Sequence, residues 1–196
     1  MTWNDAQAWE RDWHGDCLNT YGEETKQFLY AEKMGLKRLH TPKTRYAIEG
    51  DGLCVLDIGS GPSSILLKCE GIVCSACVDP ISFPQWVKDR YAYAGIEIIQ
   101  SKGEDIKRMG FDEAWMYNVL QHTEDPQKVV ENARRAAKTI RIFEWVETGT
   151  NIGHIHNLTE AKLNEWLDGY GKVETFNGQW NCYGKGYYGI FPDEGI

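Results

Sequence analysis

The spacing of apolar residues changes character near residue 53 of the 196-residue chain. Before that point, residues 1 to about 38 mix Trp, Asp, Glu and Lys, with Trp9 and Trp13 four apart. Spacing of this kind predicts amphipathic helices, one of them running from Glu23 to Met34 and closing at Gly35. The polar stretch His40-Thr-Pro-Lys-Thr44 punctuates the chain. Beyond it, short continuous apolar runs alternate with helical segments. Leu53–Ile58, residues 72–78, Ile96–Ile99, Glu113–Asn118 and Ile140–Val146 predict five strands. Ser64–Glu70, Gln85–Ala94 and a segment from Pro126 to about Lys138 predict the intervening helices. Thr159 N-caps a further helix, Glu160–Asp168. Two strands, near 172–176 and 186–191, close the chain with no helix between them.

Strands alternating with helices imply βαβ units and a parallel sheet covered on both faces. The last two strands are joined too briefly for a parallel crossover, so they pair antiparallel at one edge. The expected fold is a three-layer α/β/α sandwich around a mostly parallel seven-stranded sheet with an antiparallel last strand. Residues 1–44 form an N-terminal helical lid or cap, and 45–196 form the ligand-binding domain.

Composition narrows the picture. The formal charge is −8, which disfavours a protein that grips a phosphate backbone. No apolar run reaches the roughly 18 residues of a membrane span. The start, Met1-Thr-Trp-Asn-Asp5, lacks the basic and apolar regions of a signal peptide. A cytoplasmic protein without nucleic-acid or membrane partners is expected. The six cysteines are irregularly placed in a chain large enough to fold without disulfides. Cys69, Cys74 and Cys77 show C-x4-C-x2-C spacing, but residues three apart on a strand point to opposite faces, so no metal site is expected.

In open parallel sheets the ligand sits beyond the carboxyl ends of the strands. At the end of the first strand the chain reads Asp57-Ile-Gly59-Ser60-Gly61-Pro-Ser63. Two glycines allow a tight turn and close approach of a ligand, and the following helix is expected to offer free N–H groups. A pyrophosphate ligand fits poorly. Pro62 removes a donor, and Asp57 would repel phosphate while attracting a cation. S-adenosylmethionine (SAM), with a sulfonium and an ammonium and no phosphate, suits an acidic strand end. Asp79, followed by Pro80, ends the second strand 22 residues after Asp57, where a carboxylate can accept both ribose hydroxyls. Gly103-Glu104-Asp105-Ile106 follows the third strand, and Asn118-Val119-Leu-Gln-His122 with Asp125-Pro126 follows the fourth.

These four motifs, in this order, resemble those of the class I SAM-dependent methyltransferases over residues 45 to 191. The resemblance implies an enzyme using SAM and releasing S-adenosylhomocysteine (SAH). It places Asp57, Gly59, Ser60 and Gly61 around the methionine part and Asp79 and Pro80 at the ribose. Glu104 or Asp105 falls at the adenine edge, and Asn118 and Val119 beside the methionine moiety. The family often has a third glycine where this chain has Ser63.

Methyl transfer needs an aligned acceptor and, for a hydroxyl, a base. His122, His154 and His156 are the candidates. If 152–156 is extended, His154 and His156 point the same way. Trp13, Asn19 and Tyr21 of the N-terminal segment are the candidate acceptor contacts. No N-P-P-[FY] motif follows the fourth strand, which disfavours amino methylation of DNA bases. The expected reaction is methylation of a small-molecule acceptor, at oxygen. A SAM-binding sensor or partner subunit without activity, or a methyltransferase acting on protein or nucleic acid, are the alternatives.

Overall fold

A computed structural model describes residues 2–18, 20–39, 45–47 and 52–192. Two helices, α1 (Trp3–His14) and α2 (Tyr21–Lys33), precede two short strands, β1 (Lys37–Leu39) and β2 (Arg45–Ala47). Next come β3 (Leu53–Ile58), β4 (Cys69–Glu70), β5 (Ile72–Asp79), α3 (Gln85–Tyr93), β6 (Ile96–Gln100) and β7 (Phe111–Tyr117). The chain finishes with α4 (Pro126–Ala136), β8 (Ala137–Val146), α5 (Glu160–Leu167), β9 (Lys172–Asn177) and β10 (Tyr183–Pro192).

Seven strands form one sheet in the order β6-β5-β3-β7-β8-β10-β9. Neighbours from β6 through β8 pair parallel, and β10 runs antiparallel to both β8 and β9. The last strand therefore inserts beside β8 and leaves β9 at the edge, the antiparallel closing pair that the short connection requires. The strand order reverses between β3 and β7, so their carboxyl ends splay apart around a crevice.

The central strands read as continuous apolar runs because both faces are covered. Val55, Cys77, Trp115 and Phe143 face α2 and α3 in one core, with Leu29, Tyr30, Val87 and Tyr91. Leu56, Ala76, Ala114 and Ile142 face α4 and α5 in the other, with Val129, Val130, Ala133 and Leu163. The three-layer sandwich is thus as expected from the sequence, and α2 of the N-terminal segment supplies part of one layer. Its end is tied down by a buried ion pair. Arg141 donates Nε and Nη2 to the two carboxylate oxygens of Glu113, each at 2.7 Å, and Nη1 to the Met34 carbonyl at 2.8 Å. By contrast, α1 buries only Ala6 and Gln7.

Two expectations fail locally. No helix spans Ser64–Glu70. Ile65–Lys68 form a single 3-10 turn, and Cys69–Glu70 pair with β2 in a small three-stranded sheet with β1. The cysteines are also not all free. Cys54 and Cys74 face each other in register on adjacent strands, with Cα atoms 4.5 Å apart, and are joined by a disulfide.

Candidate active site

A cavity of about 390 Å³ lies over the carboxyl ends of β3, β5, β6 and β7 and under the N-terminal helices. Gly59 and Gly61 begin its floor with φ of 71° and 59°. A Cβ at Gly59 would also clash, lying 2.0 Å from Val119 Cγ2. Val119 is itself fixed, because its N–H donates to Glu144 Oε1 at 3.0 Å and the Leu120 N–H donates to the same oxygen at 3.2 Å. Burial pushes Glu144 up to about 7.

Beyond the glycines the chain turns away from the cavity. The Ser64 N–H donates to Tyr91 Oη at 2.8 Å, and the Ile65 N–H to Tyr117 Oη at 3.1 Å. The free N–H groups expected of a helix N-terminus are thus spent on the protein itself. Asp57 also points inward. It is fully buried, accepts from Ser64 Oγ and from Tyr117 Oη, and is not among the cavity-lining residues. Burial raises its carboxyl to about 7. In this position Asp57 ties down the loop after β3, with its Oδ1 left without a hydrogen-bond partner. Ser63, where a glycine was the family's habit, donates to Glu24 of α2 at 2.8 Å.

Asp79 does face the cavity. Its two oxygens accept from the N–H groups of Gly61 and Ile81, both at 2.9 Å, so it joins the ends of β3 and β5. Burial pushes its carboxyl up to about 6. Pro80, Ser60, Asn118 and Val119 line the same space. Of the acidic pair after β6, Glu104 is buried on the cavity wall and accepts from the N–H groups of Glu124 at 2.7 Å and Asp125 at 2.9 Å. Asp105 is exposed and borders a separate groove. The residues present fit SAM. Carboxylates surround the strand ends, the glycine turn leaves open space beside Gly61, and Ile58, Val78, Ile81 and Val119 supply apolar walls.

The roof comes from α1 and α2. Trp9 and Trp13 stack at 5.3 Å between centroids and both line the cavity. The Trp9 ring packs so closely on Gly153 that a Cβ there would meet it at 2.7 Å. Lys102 places Nζ 3.8 Å from the centre of the Trp3 ring. Tyr21 is 81% exposed and does not line the cavity, and Asn19 lies outside the described residues.

The three histidines separate. His154 and His122 line the cavity with rings 4.8 Å apart, edge to face. His156 turns away, its Nε2 2.9 Å from the Thr123 carbonyl, where it must carry a proton to donate. The parity expectation fails because residues 151–154 form a bend, with the Asn151 side chain accepting from the N–H groups of Gly153 and His154. Glu10, which the sequence reading passed over, stands with Oε1 2.9 Å from His122 Nδ1. Its other oxygen is 3.6 Å from His14 Nε2. The only advance signal was the i,i+4 spacing of Glu10 and His14 on a Trp-rich helix.

Residues 56–139 match the protein family described as a methyltransferase domain. No curated protein matches the sequence. Solved structures with the same fold include a Burkholderia thailandensis 1,6-didemethyltoxoflavin-N1-methyltransferase, solved with its acceptor and S-adenosylhomocysteine. It is 12% identical, with TM-score 0.59 and coverage of 96% of this chain and 84% of that one. A Thermotoga maritima SAM-dependent methyltransferase described as a possible histamine N-methyltransferase is 13% identical. Its TM-score is 0.58, with 91% and 97% coverage. A SAM-dependent methyltransferase from Aquifex aeolicus is 17% identical, with TM-score 0.50 and 85% and 89% coverage.

Proposed function

We propose that the chain is a class I SAM-dependent methyltransferase, a reading supported by its fold and by the methyltransferase-domain match over residues 56–139, and that it methylates a small molecule at oxygen. The observation that carries this reading is the joint construction of the cavity. Its floor holds Asp79 and the Gly59–Gly61 turn, and its roof holds stacked tryptophans and an imidazole-carboxylate wall.

Bound SAM supplies a methyl group activated by its sulfonium. In the proposed arrangement Asp79 accepts the ribose hydroxyls and Glu104 lies near the adenine. Asn118 and Val119 flank the methionine part. Trp9 and Trp13 cover the acceptor and exclude water, and a histidine takes its proton. A cavity of about 390 Å³ shared with the cofactor favours a small acceptor, and the acidic surface favours one that is neutral or cationic. Nitrogen is the second reading, favoured because one of the similar structures is named as an N-methyltransferase and another as a possible one.

The test is transfer of tritiated methyl from SAM to a panel of phenols, catechols, heteroaromatic N–H compounds and aliphatic amines, with RNA and bulk protein as alternative acceptors. Label in a phenol or catechol supports the reading, and label in a ring nitrogen moves it to the second. Transfer only to RNA or protein overturns the small-molecule proposal. Binding of SAM without transfer to any of them favours a sensor or partner subunit.

A further inference from the structure

Five buried side-chain polar atoms among the described residues have no hydrogen-bond partner. Three of them, Glu10 Oε1, His122 Nδ1 and His154 Nδ1, belong to residues of one wall of the cavity, and the first two face each other at 2.9 Å without hydrogen-bond geometry. Unsatisfied polar capacity gathered in one place marks a site that handles a polar group or a proton. We propose that His122 is the proton acceptor for the O–H or N–H of the methyl acceptor, and that Glu10, delivered by α1, is the positioning residue that holds its Nδ1. The proposal rests on the methyltransferase reading and names the base that reading requires.

Geometry separates the histidines. His156 is engaged by the carbonyls of Thr123 and Glu124 outside the cavity. His154 has Nε2 3.4 Å from the Gln121 amide nitrogen and no carboxylate beside it. His122 alone combines a place on the cavity wall with a carboxylate at 2.9 Å, the arrangement that fixes a tautomer and stabilises an imidazolium. With Nδ1 turned to Glu10, Nε2, which like that of His154 lies 3.4 Å from the Gln121 amide nitrogen, is the atom that receives the proton.

Charges around the ring favour the same assignment. Burial disfavours a charge on His122, but Glu10, Glu144 and the Gly153 carbonyl outweigh it and raise its affinity for a proton. Glu10 is held ionised for the converse reason, with His122, His14 and His154 overcoming its burial. His154, pressed by burial and by His122, is pushed down to about 4 and stays neutral at ordinary pH. His14 is also lowered, by burial. Lys26 acts on His154, Glu23 acts on His14, and Asp79 also feels His122.

The step balances. The acceptor's O–H or N–H bond breaks and its proton passes to His122 Nε2. The electron pair left on the acceptor atom forms the new bond to the methyl carbon. The carbon–sulfur bond breaks with its pair on sulfur, giving SAH, and His122 later returns the proton to solvent. Because Glu10 lies on α1, which buries little of itself, the base is complete only when the roof is in place.

The test titrates the His122 Cε1–H resonance in the SAH-bound protein, assigned with H122N, for wild type and for E10Q. Wild-type His122 is expected to titrate above the ordinary histidine value of about 6.5, and E10Q to lower that midpoint by about half a unit or more. With any acceptor turned over by the panel above, E10Q lowers kcat about 10- to 100-fold at neutral pH while KM changes little. The acidic limb of its rate profile moves to lower pH with the midpoint. An unmoved midpoint overturns the proposal, as does an E10Q profile that superimposes on wild type. Loss of the acidic limb in H154N rather than in H122N assigns the base elsewhere and also overturns it. If no panel member is methylated, the two titrations decide. Calorimetry with SAH keeps the failures apart, since wild-type protein that does not bind SAH sinks the methyltransferase reading itself.

Discussion

Replacing Gly59 with alanine tests whether the turn after β3 is fixed by sterics as well as by backbone conformation. At φ of 71° a Cβ costs about 1 kcal/mol. The new Cβ would also sit 2.0 Å from Val119 Cγ2 and 2.8 Å from its Cβ. Val119 cannot retreat cheaply, because its N–H is bound to both oxygens of buried Glu144, at 3.0 and 3.2 Å. Overpacking of this kind adds about 1–3 kcal/mol, for a total of about 2–4 kcal/mol. Gly61→Ala is the internal control. Its φ is 59° but nothing lies within 4 Å of its Cβ position, so only the conformational cost of about 1 kcal/mol applies. Urea unfolding followed by circular dichroism measures both. Adding Val119→Ala to Gly59→Ala removes the closest contact and should recover part of the loss, a coupling of about 1 kcal/mol. If Gly59→Ala and Gly61→Ala agree within about 0.5 kcal/mol, or the second substitution recovers nothing, the steric argument is wrong.

Removing one member of the Arg141–Glu113 pair leaves a buried charge alone, so Arg141→Met should cost about 3–5 kcal/mol. The double change to Met at both positions should restore most of that in the same unfolding assay. SAH affinity should rise with pH through about 6, because Asp79 accepts ribose hydroxyls only when ionised. Its raised carboxyl is mostly protonated below that point, so the dissociation constant near pH 5 should be about tenfold weaker than near pH 7. Asp79→Asn should flatten that slope, measured by calorimetry across the pH range. Hydrogen exchange in Trp3–His14 should slow when SAH binds, since α1 roofs the cavity while burying only Ala6 and Gln7. Unchanged exchange would make α1 a fixed wall.

The strands were legible because each central one is a short apolar run bounded by turn residues, and the closing pair because so short a link cannot cross over. The segment after the glycine turn was not. Ser64-Ile-Leu-Leu-Lys68 is too short to hold a helix against a neighbour, and β2 draws Cys69 and Glu70 into a second sheet. The Cys54–Cys74 bond depends on register between two strands, which residue spacing does not encode. That Asp79 and Glu104 would stand together was readable because strand ends of a parallel sheet share one rim, and both line the cavity there. The direction of the Asp57 side chain was not legible, since its partners Tyr117 and Ser64, far apart in sequence or across a turn, draw the carboxylate inward. Glu10 and His122 lie more than a hundred residues apart and meet only through the docking of α1.

The central claim is that the cavity over Asp79 holds SAM. Calorimetric titration of the full chain with SAM and with SAH, beside Asp79→Ala, tests it most directly. The account predicts micromolar binding of both by the wild type. The substitution should weaken it about tenfold or more, since two hydrogen bonds to a charged group are lost. Well-folded wild-type protein that binds neither compound would contradict it.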